Sequence, residues 1–235
     1  MPNLSKRSTA IEIMDDLSCS GEVVHQTLRE LETINYLLGG NYVTITGIEQ
    51  LLQKSLAGSV EVTDLGCGSG DMLRLIRRWS NKKSLDLQLT GFDANPFIIA
   101  YARSHTPPEC NIKFETVDIF SEAFKGSTFD IITGTLFFHH FTDQQLIEFF
   151  SKLKHQVKIG MVINDIHRHW FAYYSIKWLT TFFSRSAMVR YDAPLSVLRA
   201  FRKKELIEII EKAGITNYTI RWMWAFRWQI IAYTN

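Results

Sequence analysis

The chain has 235 residues, 46 % of them hydrophobic, and a net charge of +2 from 26 basic and 24 acidic side chains. The length suits one domain with an elaboration, and the charge balance argues against a dedicated nucleic-acid binder, which is usually more basic. Cys19, Cys67 and Cys110 are scattered without a CxxC, so neither a disulfide framework nor a zinc site is suggested; with no apolar leader region and no long apolar run, a cytoplasmic location is expected.

The first 58 residues read as helical and are expected to form an N-terminal helical cap on a core running from 59 to 235. In "GEVVHQTLRELETINYLL", Val24, Leu28, Leu31, Ile34, Leu37 and Leu38 fall near one helical face, and Gly39-Gly40 is a plausible stop. Ile48, Leu51, Leu52 and Leu56 suggest a second helix. From Val60 the pattern alternates. "VEVTDL", "LDLQLTGFD", "NIKFETVD", "FDIITGT" and "VKIGMVIND" read as strands. Helices are expected at "MLRLIRRW", at "PFIIAYARS" with Pro96 in its first turn, and at "TDQQLIEFFSKLKHQ" capped by Thr142. The C-terminal part adds a helix, "KKELIEIIEKAG", and a closing strand pair, "NYTIRWMW" and "RWQIIAYTN". Strands alternating with helices predict an α/β fold, a parallel sheet covered on both faces.

In such sheets ligands bind beyond the carboxyl ends of the strands, where the strand order reverses. The first strand ends in "DLGCGSGD", whose Gly66, Gly68 and Gly70 allow a tight turn and close approach to a ligand. The dinucleotide fingerprint G-x-G-x-x-G needs glycine where Asp71 stands, and an aspartate at that helix start repels a pyrophosphate. Asp93 ends the second strand, where an acid can accept from both ribose hydroxyls. Asp118 ends the third and can accept from an adenine amine while Ile119 packs on the ring. An adenosine carrying no phosphates fits this arrangement, and so does a cationic group near acidic side chains.

The set "VTDLGCGSGD", "GFDANP", "VDIF" and "FDIITGTLFFHHF", in this order and spacing, resembles the class I S-adenosylmethionine-dependent methyltransferases over roughly residues 60 to 165. The resemblance implies a Rossmann-like seven-stranded sheet with an antiparallel last strand, and S-adenosyl-L-methionine as cofactor. It implies cofactor contacts at Asp64, Gly66, Cys67, Gly68, Gly70, Asp93, Ala94, Asp118 and Ile119, and at the backbone of Thr135 and Leu136. Within the class the chain is similar to bacterial enzymes acting on quinone rings and phenolic polyketides. "RSTAIEIMDD", "LRELETINYLLGG", "NDIHRHWFAYY" and "RYDAPLSVLRAF" also resemble methyltransferases found beside type III polyketide synthases, although no mechanism attaches to those segments.

Methyl transfer to a phenol benefits from a base near neutral pKa. "GTLFFHHF" follows the fourth strand, beside the expected methyl group. Adjacent histidines are not expected to point the same way, so one should face the pocket while the other packs or caps. His140 is the first candidate and His139 the second. Phe137, Phe138 and Phe141 either line an aromatic substrate or pack. Asn164, Asp165, His167 and Arg168 are candidate polar contacts to substrate, or a loop capping the next helix. A metal at "NDIHRH" requires a carboxylate straight after strand four, where Thr135 and Leu136 stand, so none is expected.

The aromatic segment "HWFAYYSIKWLTTFFSR" sits in an insertion at about 166–200 that is expected to form a helical lid over substrate. A membrane-surface helix is the competing reading, with Arg168 and Arg185 few for that task. The expected function is O-methylation of a small apolar aromatic acceptor by a monomer or homodimer that binds no nucleic acid. C-methylation of a quinone or polyketide ring is the near alternative. A non-catalytic binding subunit on the same fold is the distant one.

Overall fold

The computed structural model describes residues 2–53 and 58–234. Leu56, expected on the second helix, lies outside them. Seven strands form one sheet: β1 (Val60–Leu65), β2 (Leu87–Asp93), β3 (Ile112–Thr116), β4 (Phe129–Thr135), β5 (Val157–Ile166), β6 (Tyr218–Met223) and β7 (Arg227–Tyr233). Their order is β3-β2-β1-β4-β5-β7-β6. Strands β1 to β5 pair in parallel, and β7 runs antiparallel to both β5 and β6. The last strand is therefore antiparallel, as expected.

Side chains alternate across this sheet, and both faces are buried. Ile132 joins Phe138, Leu146, Phe149 and Ile209 on one face, under α6 (Asp143–Leu153) and α9 (Lys203–Lys212). Its neighbour Ile131 joins Ile48, Leu73, Ile76 and Ile99 on the other, under α2 (Gly40–Leu52), α3 (Asp71–Lys82) and α4 (Pro96–Ser104). Helix α2 lies directly over β5 and β7. Gly47 permits this approach: a Cβ there would lie 2.4 Å from Val162 Cγ1.

Helix starts follow local chemistry. Thr142 and Gln145 close a capping box on α6. Asn95 Oδ1 accepts from Phe97 N at 2.8 Å, with Pro96 opening α4. Gly39 adopts a left-handed conformation between α1 (Glu22–Leu37) and α2, and Gly40 already belongs to α2. The expected stripe on α1 divides. Val24 and Leu28 pack with Ile98, Tyr101 and Met188. Leu31, Ile34 and Leu38 face a cavity, and Leu37 is 73 % exposed. The aromatic segment forms α7 (Trp170–Phe183), and a further helix, α8 (Ala187–Arg199), packs on it. A short α5 (Glu122–Lys125) precedes β4.

The chain leaves β1 toward β2 on one side and returns to β4 on the other. The strand order thus reverses between β1 and β4, and the crevice beyond their carboxyl ends is the expected ligand position.

Candidate active site

A cavity of about 1440 Å³ opens at this crevice. Ordinary small-molecule pockets hold roughly 300–1,000 Å³, so this one has room for two ligands side by side. Its floor is the strand ends, and its walls come from α1, α7, α8 and an N-terminal strap around residues 6–17.

On one side stands the glycine loop. Gly66 has φ +64° and packs under Phe137, whose Cδ2 would lie 2.1 Å from an added Cβ. Gly68 has φ +52° and only Leu28 Cδ2 near, at 3.9 Å, so the loop presents bare backbone to the cavity. Asp93 accepts from Gly68 N at 3.2 Å and Asn95 N at 3.0 Å, which ties the ends of β1 and β2 together. Asp64 is buried and accepts from Thr133 Oγ1 at 2.7 Å. Burial lifts Asp64 to about 7 and holds Asp71 and Asp93 above the usual carboxylate range.

Of the sequence-predicted cofactor residues, Asp64, Gly66, Cys67, Gly68, Asp93, Ala94, Asp118, Ile119, Thr135 and Leu136 all line the cavity. Gly70 does not. It caps α3 behind the loop with φ +75°, against the Phe114 ring. Asp118 Oδ1 accepts from Phe120 N at 2.9 Å. Leu136 has φ +56°, and its N–H donates to Asn164 O at 2.8 Å.

The histidines depart from expectation. A 3₁₀ turn over Phe138–His140 carries both to the cavity, with ring centroids 4.3 Å apart. An extended loop would have turned them apart; this tight turn sets them side by side, tilted by 32°. His139 is buried, with Nδ1 2.7 Å from Asp165 Oδ1, and its backbone N–H donates to Asp165 Oδ2. His140 Nδ1 lies 2.5 Å from Asp15 Oδ1. Arg199 donates to Asp15 Oδ2 at 2.5 Å and to the carbonyls of His139 and His140. Arg7 donates to the carbonyls of His139 and Phe141. Burial pushes the Glu12 carboxyl up to about 7, against the pull of His140 and Arg199. Burial also opposes ionisation at Asp15 and Asp165, but His140 and Arg199 hold Asp15 low, and His139 holds Asp165 low.

Four expected substrate contacts fall elsewhere. Phe138 is 1 % exposed and packs under Gly134 in the core, because the turn that brings the histidines to the cavity points it inward. Asn164 Nδ2 donates to Gly40 O at 2.8 Å and Thr44 Oγ1 at 3.0 Å, anchoring α2. His167 packs against Trp228, and burial lowers its pKa to about 4. Arg168 is buried and donates to Leu4 O, Ala200 O and Glu205 Oε1. None of the four lines the cavity. His169 caps α7, its Nδ1 accepting from Phe171 N at 3.2 Å.

Phe137 and Phe141 do line it, as do Phe171, Ala172, Ser175, Ile176 and Leu179 of α7. Sequence reasoning missed Glu12, Asp15, Arg199 and Arg7. Glu12, Asp15 and Arg7 lie within "RSTAIEIMDD", and Arg199 within "RYDAPLSVLRAF". Both segments carried a resemblance without a mechanism.

Residues 62–160 match the family model described as a methyltransferase domain. No curated protein sequence matches the chain. Among solved structures, the plantazolicin methyltransferase BpumL in complex with SAH is 19 % identical, covering 90 % of this chain and 88 % of its own, with a TM-score of 0.62. Human N-acetylserotonin methyltransferase in complex with SAM is 16 % identical, covering 92 % and 56 %, with a TM-score of 0.63. The citrinin polyketide synthase CMeT domain is 14 % identical, covering 83 % and 52 %, with a TM-score of 0.62. At these identities the likeness establishes the fold. Residues 62–160 thus match a methyltransferase domain, and the chain has the fold of these methyltransferases solved with SAH and SAM.

Proposed function

We propose that the protein transfers a methyl group from S-adenosylmethionine to the hydroxyl of a small apolar aromatic acceptor, a phenol or a polyketide. The observation that carries this reading is one cavity joining two unlike halves: an acid-rich glycine loop, and an aromatic chamber ending at His139 and His140. The loop's chemistry suits a cationic ligand. Asp64, Asp71 and Asp93 are all held above their usual pKa by burial, and a positive group beside them relieves that cost. The bare backbone at Gly68 admits close approach. Asp93 and Ala94 would hold the ribose, Asp118 and Ile119 the adenine, and the loop with Thr135 and Leu136 the methionine part. When bound, S-adenosylmethionine supplies an electrophilic methyl group on a sulfonium.

The chain's own work is to orient the acceptor, exclude water and receive a proton. Phe137, Phe141, Phe171, Ile176 and Leu179 give an apolar wall that suits an aromatic ring. Asp165 and Asp15 fix the Nδ1 edges of His139 and His140, which leaves each Nε2 as the free edge. A hydroxyl seated there loses its proton toward the Glu12–His139–His140 cluster as its oxygen attacks.

Phenols and polyketide-type aromatics incubated with protein and cofactor should gain one methyl group, read by mass spectrometry. His139→Ala and His140→Ala should each lower kcat by about 10²–10⁴-fold and leave S-adenosylhomocysteine affinity near wild type. Full turnover in both variants would remove the cluster from the reaction. A product methylated on ring carbon would assign C-methylation to the same cavity.

A further inference from the structure

Among the described residues, one group of metal-ligating side chains converges on a single point: Glu12, His139 and His140, whose ligand atoms lie within 4.8 Å of one another. Glu12 Oε1 and His139 Nε2 face each other at 3.7 Å, and Glu12 Oε2 and His140 Nε2 at 4.0 Å. Both gaps exceed hydrogen-bond length. Glu12 is 4 % and His139 2 % exposed, yet neither Glu12 Oε1 nor His139 Nε2 has a hydrogen-bond partner. A buried polar atom left unpaired is costly, and here two such atoms face one another.

The second edge of each ring explains the arrangement. A carboxylate can only accept, so Asp165 and Asp15 hold the ring protons of His139 and His140 on Nδ1. In the neutral imidazole each Nε2 then presents a lone pair toward the oxygens of Glu12. Such lone pairs repel in a dry site unless a proton or a metal ion sits among them, and at 3.7 and 4.0 Å no proton is shared in a hydrogen bond. Arg199 does not fill that place. Its Nε is 3.6 Å from Glu12 Oε1, and its hydrogens go to Asp15 and to the carbonyls of His139 and His140. Ser196 Oγ donates to the other oxygen, Glu12 Oε2, at 2.9 Å.

Imidazoles whose far nitrogen is held by a carboxylate are how proteins orient metal ligands. Two histidines and one carboxylate form a ligand set for zinc and other first-row divalent ions. Around a tetrahedral zinc, ligand atoms about 2.0–2.2 Å from the ion stand roughly 3.3–3.6 Å apart. The observed 3.7 and 4.0 Å are a few tenths of an ångström longer, and the full set lies within 4.8 Å, so closure by up to about 1 Å brings it around an ion.

The geometry points to a divalent-metal site formed by Glu12, His139 and His140, taking an ion such as Zn²⁺, with Asp165 and Asp15 as positioning residues. Glu12 belongs to the N-terminal strap, which Asp192 holds by accepting from Ile13 N at 2.8 Å and Met14 N at 3.1 Å. The ion therefore ties the strap to the turn after β4. The His140 side chain, 21 % exposed, marks the edge where water or an acceptor oxygen completes the coordination. That last role rests on the methyl-transfer reading, with the ion rather than a free Nε2 then promoting loss of the hydroxyl proton; the site itself does not.

The test takes the full chain, stripped with a chelator, and titrates it with Zn²⁺ and separately with Co²⁺. One ion per chain is expected, with cobalt ligand-field bands of nitrogen and oxygen coordination and no thiolate charge-transfer band. Glu12→Gln should weaken binding by at least ~10-fold, and Asp165→Asn by about 10–100-fold. Circular dichroism of the metal-free variants certifies their folding. If a variant does not fold, the wild-type cobalt spectrum and stoichiometry carry the test. A folded wild-type chain that takes up no ion overturns the site, as does undiminished binding by folded Glu12→Gln. S-adenosylhomocysteine titrated into the same preparation reports separately on the cofactor reading.

Discussion

At Asp64 burial and hydrogen bonding oppose each other, and burial wins. Thr133 Oγ1 donates to the carboxyl at 2.7 Å, but loss of water lifts its pKa to about 7. The unfolded value is near 3.9. Between about pH 4 and 7 the folded chain therefore holds a proton that the unfolded chain has released. The stability this contributes is complete below about pH 4 and is lost as pH rises through 7. Asp64→Asn removes the dependence while keeping a group that accepts from Thr133. Urea unfolding at about pH 5 and about pH 8 should show the wild type losing stability relative to the variant, on the order of a few kcal/mol. Parallel curves would show that Asp64 is already ionised in the folded protein. The same residue illustrates what a strand end contributes: β1 aligns Asp64 beside Thr133 of β4, so its carboxyl is part of the sheet's own rim.

At the scale of the element, α2 and α7 are set by opposite means. Helix α2 is placed by a missing side chain. Gly47 lies against Val162, where a Cβ would come within 2.4 Å of Cγ1. Gly47→Ala should cost about 1–3 kcal/mol by overpacking, in spite of alanine's better helix propensity. Adding Val162→Ala should recover part of that loss, so thermal unfolding of the double variant will be non-additive. Simple addition of the two costs would mean that α2 is free to shift away from β5. Helix α7 is apolar on all sides, so its sequence does not say which face turns inward. The structure turns Ala172, Ser175, Ile176 and Leu179 to the cavity, whereas Trp170, Tyr174, Trp178 and Phe182 stand exposed at four-residue spacing. Among the described residues no helix is long and apolar enough to cross a membrane.

At the scale of the whole molecule, the fold and half of the site were legible in the sequence. Acids stand at or beside the carboxyl ends of the first three strands, so Asp93 and Asp118 were assigned to one rim from local pattern, and Asp64 from the resemblance of its glycine loop. The histidine end was not legible in the same way. His140 meets Asp15 across 125 positions, and Arg199 meets Asp15 across 184. Neither the strap nor the end of α8 has a periodicity that points to the cavity. His167 and Arg168 show the converse error. They follow β5 as expected for substrate contacts, but packing on Trp228 and pairing with Glu205 turn them into the body of the protein. Local spacing places backbone at a rim, and long-range packing then decides which side chains reach the ligand. Binding of S-adenosylmethionine at this rim is tested most directly by calorimetric titration with S-adenosylhomocysteine. Asp93 holds Gly68 N and Asn95 N and lines the cavity. The wild type should bind saturably, and Asp93→Ala should lose at least ~10-fold in affinity, about 1.4 kcal/mol. A folded wild-type chain that takes up no S-adenosylhomocysteine would contradict the account.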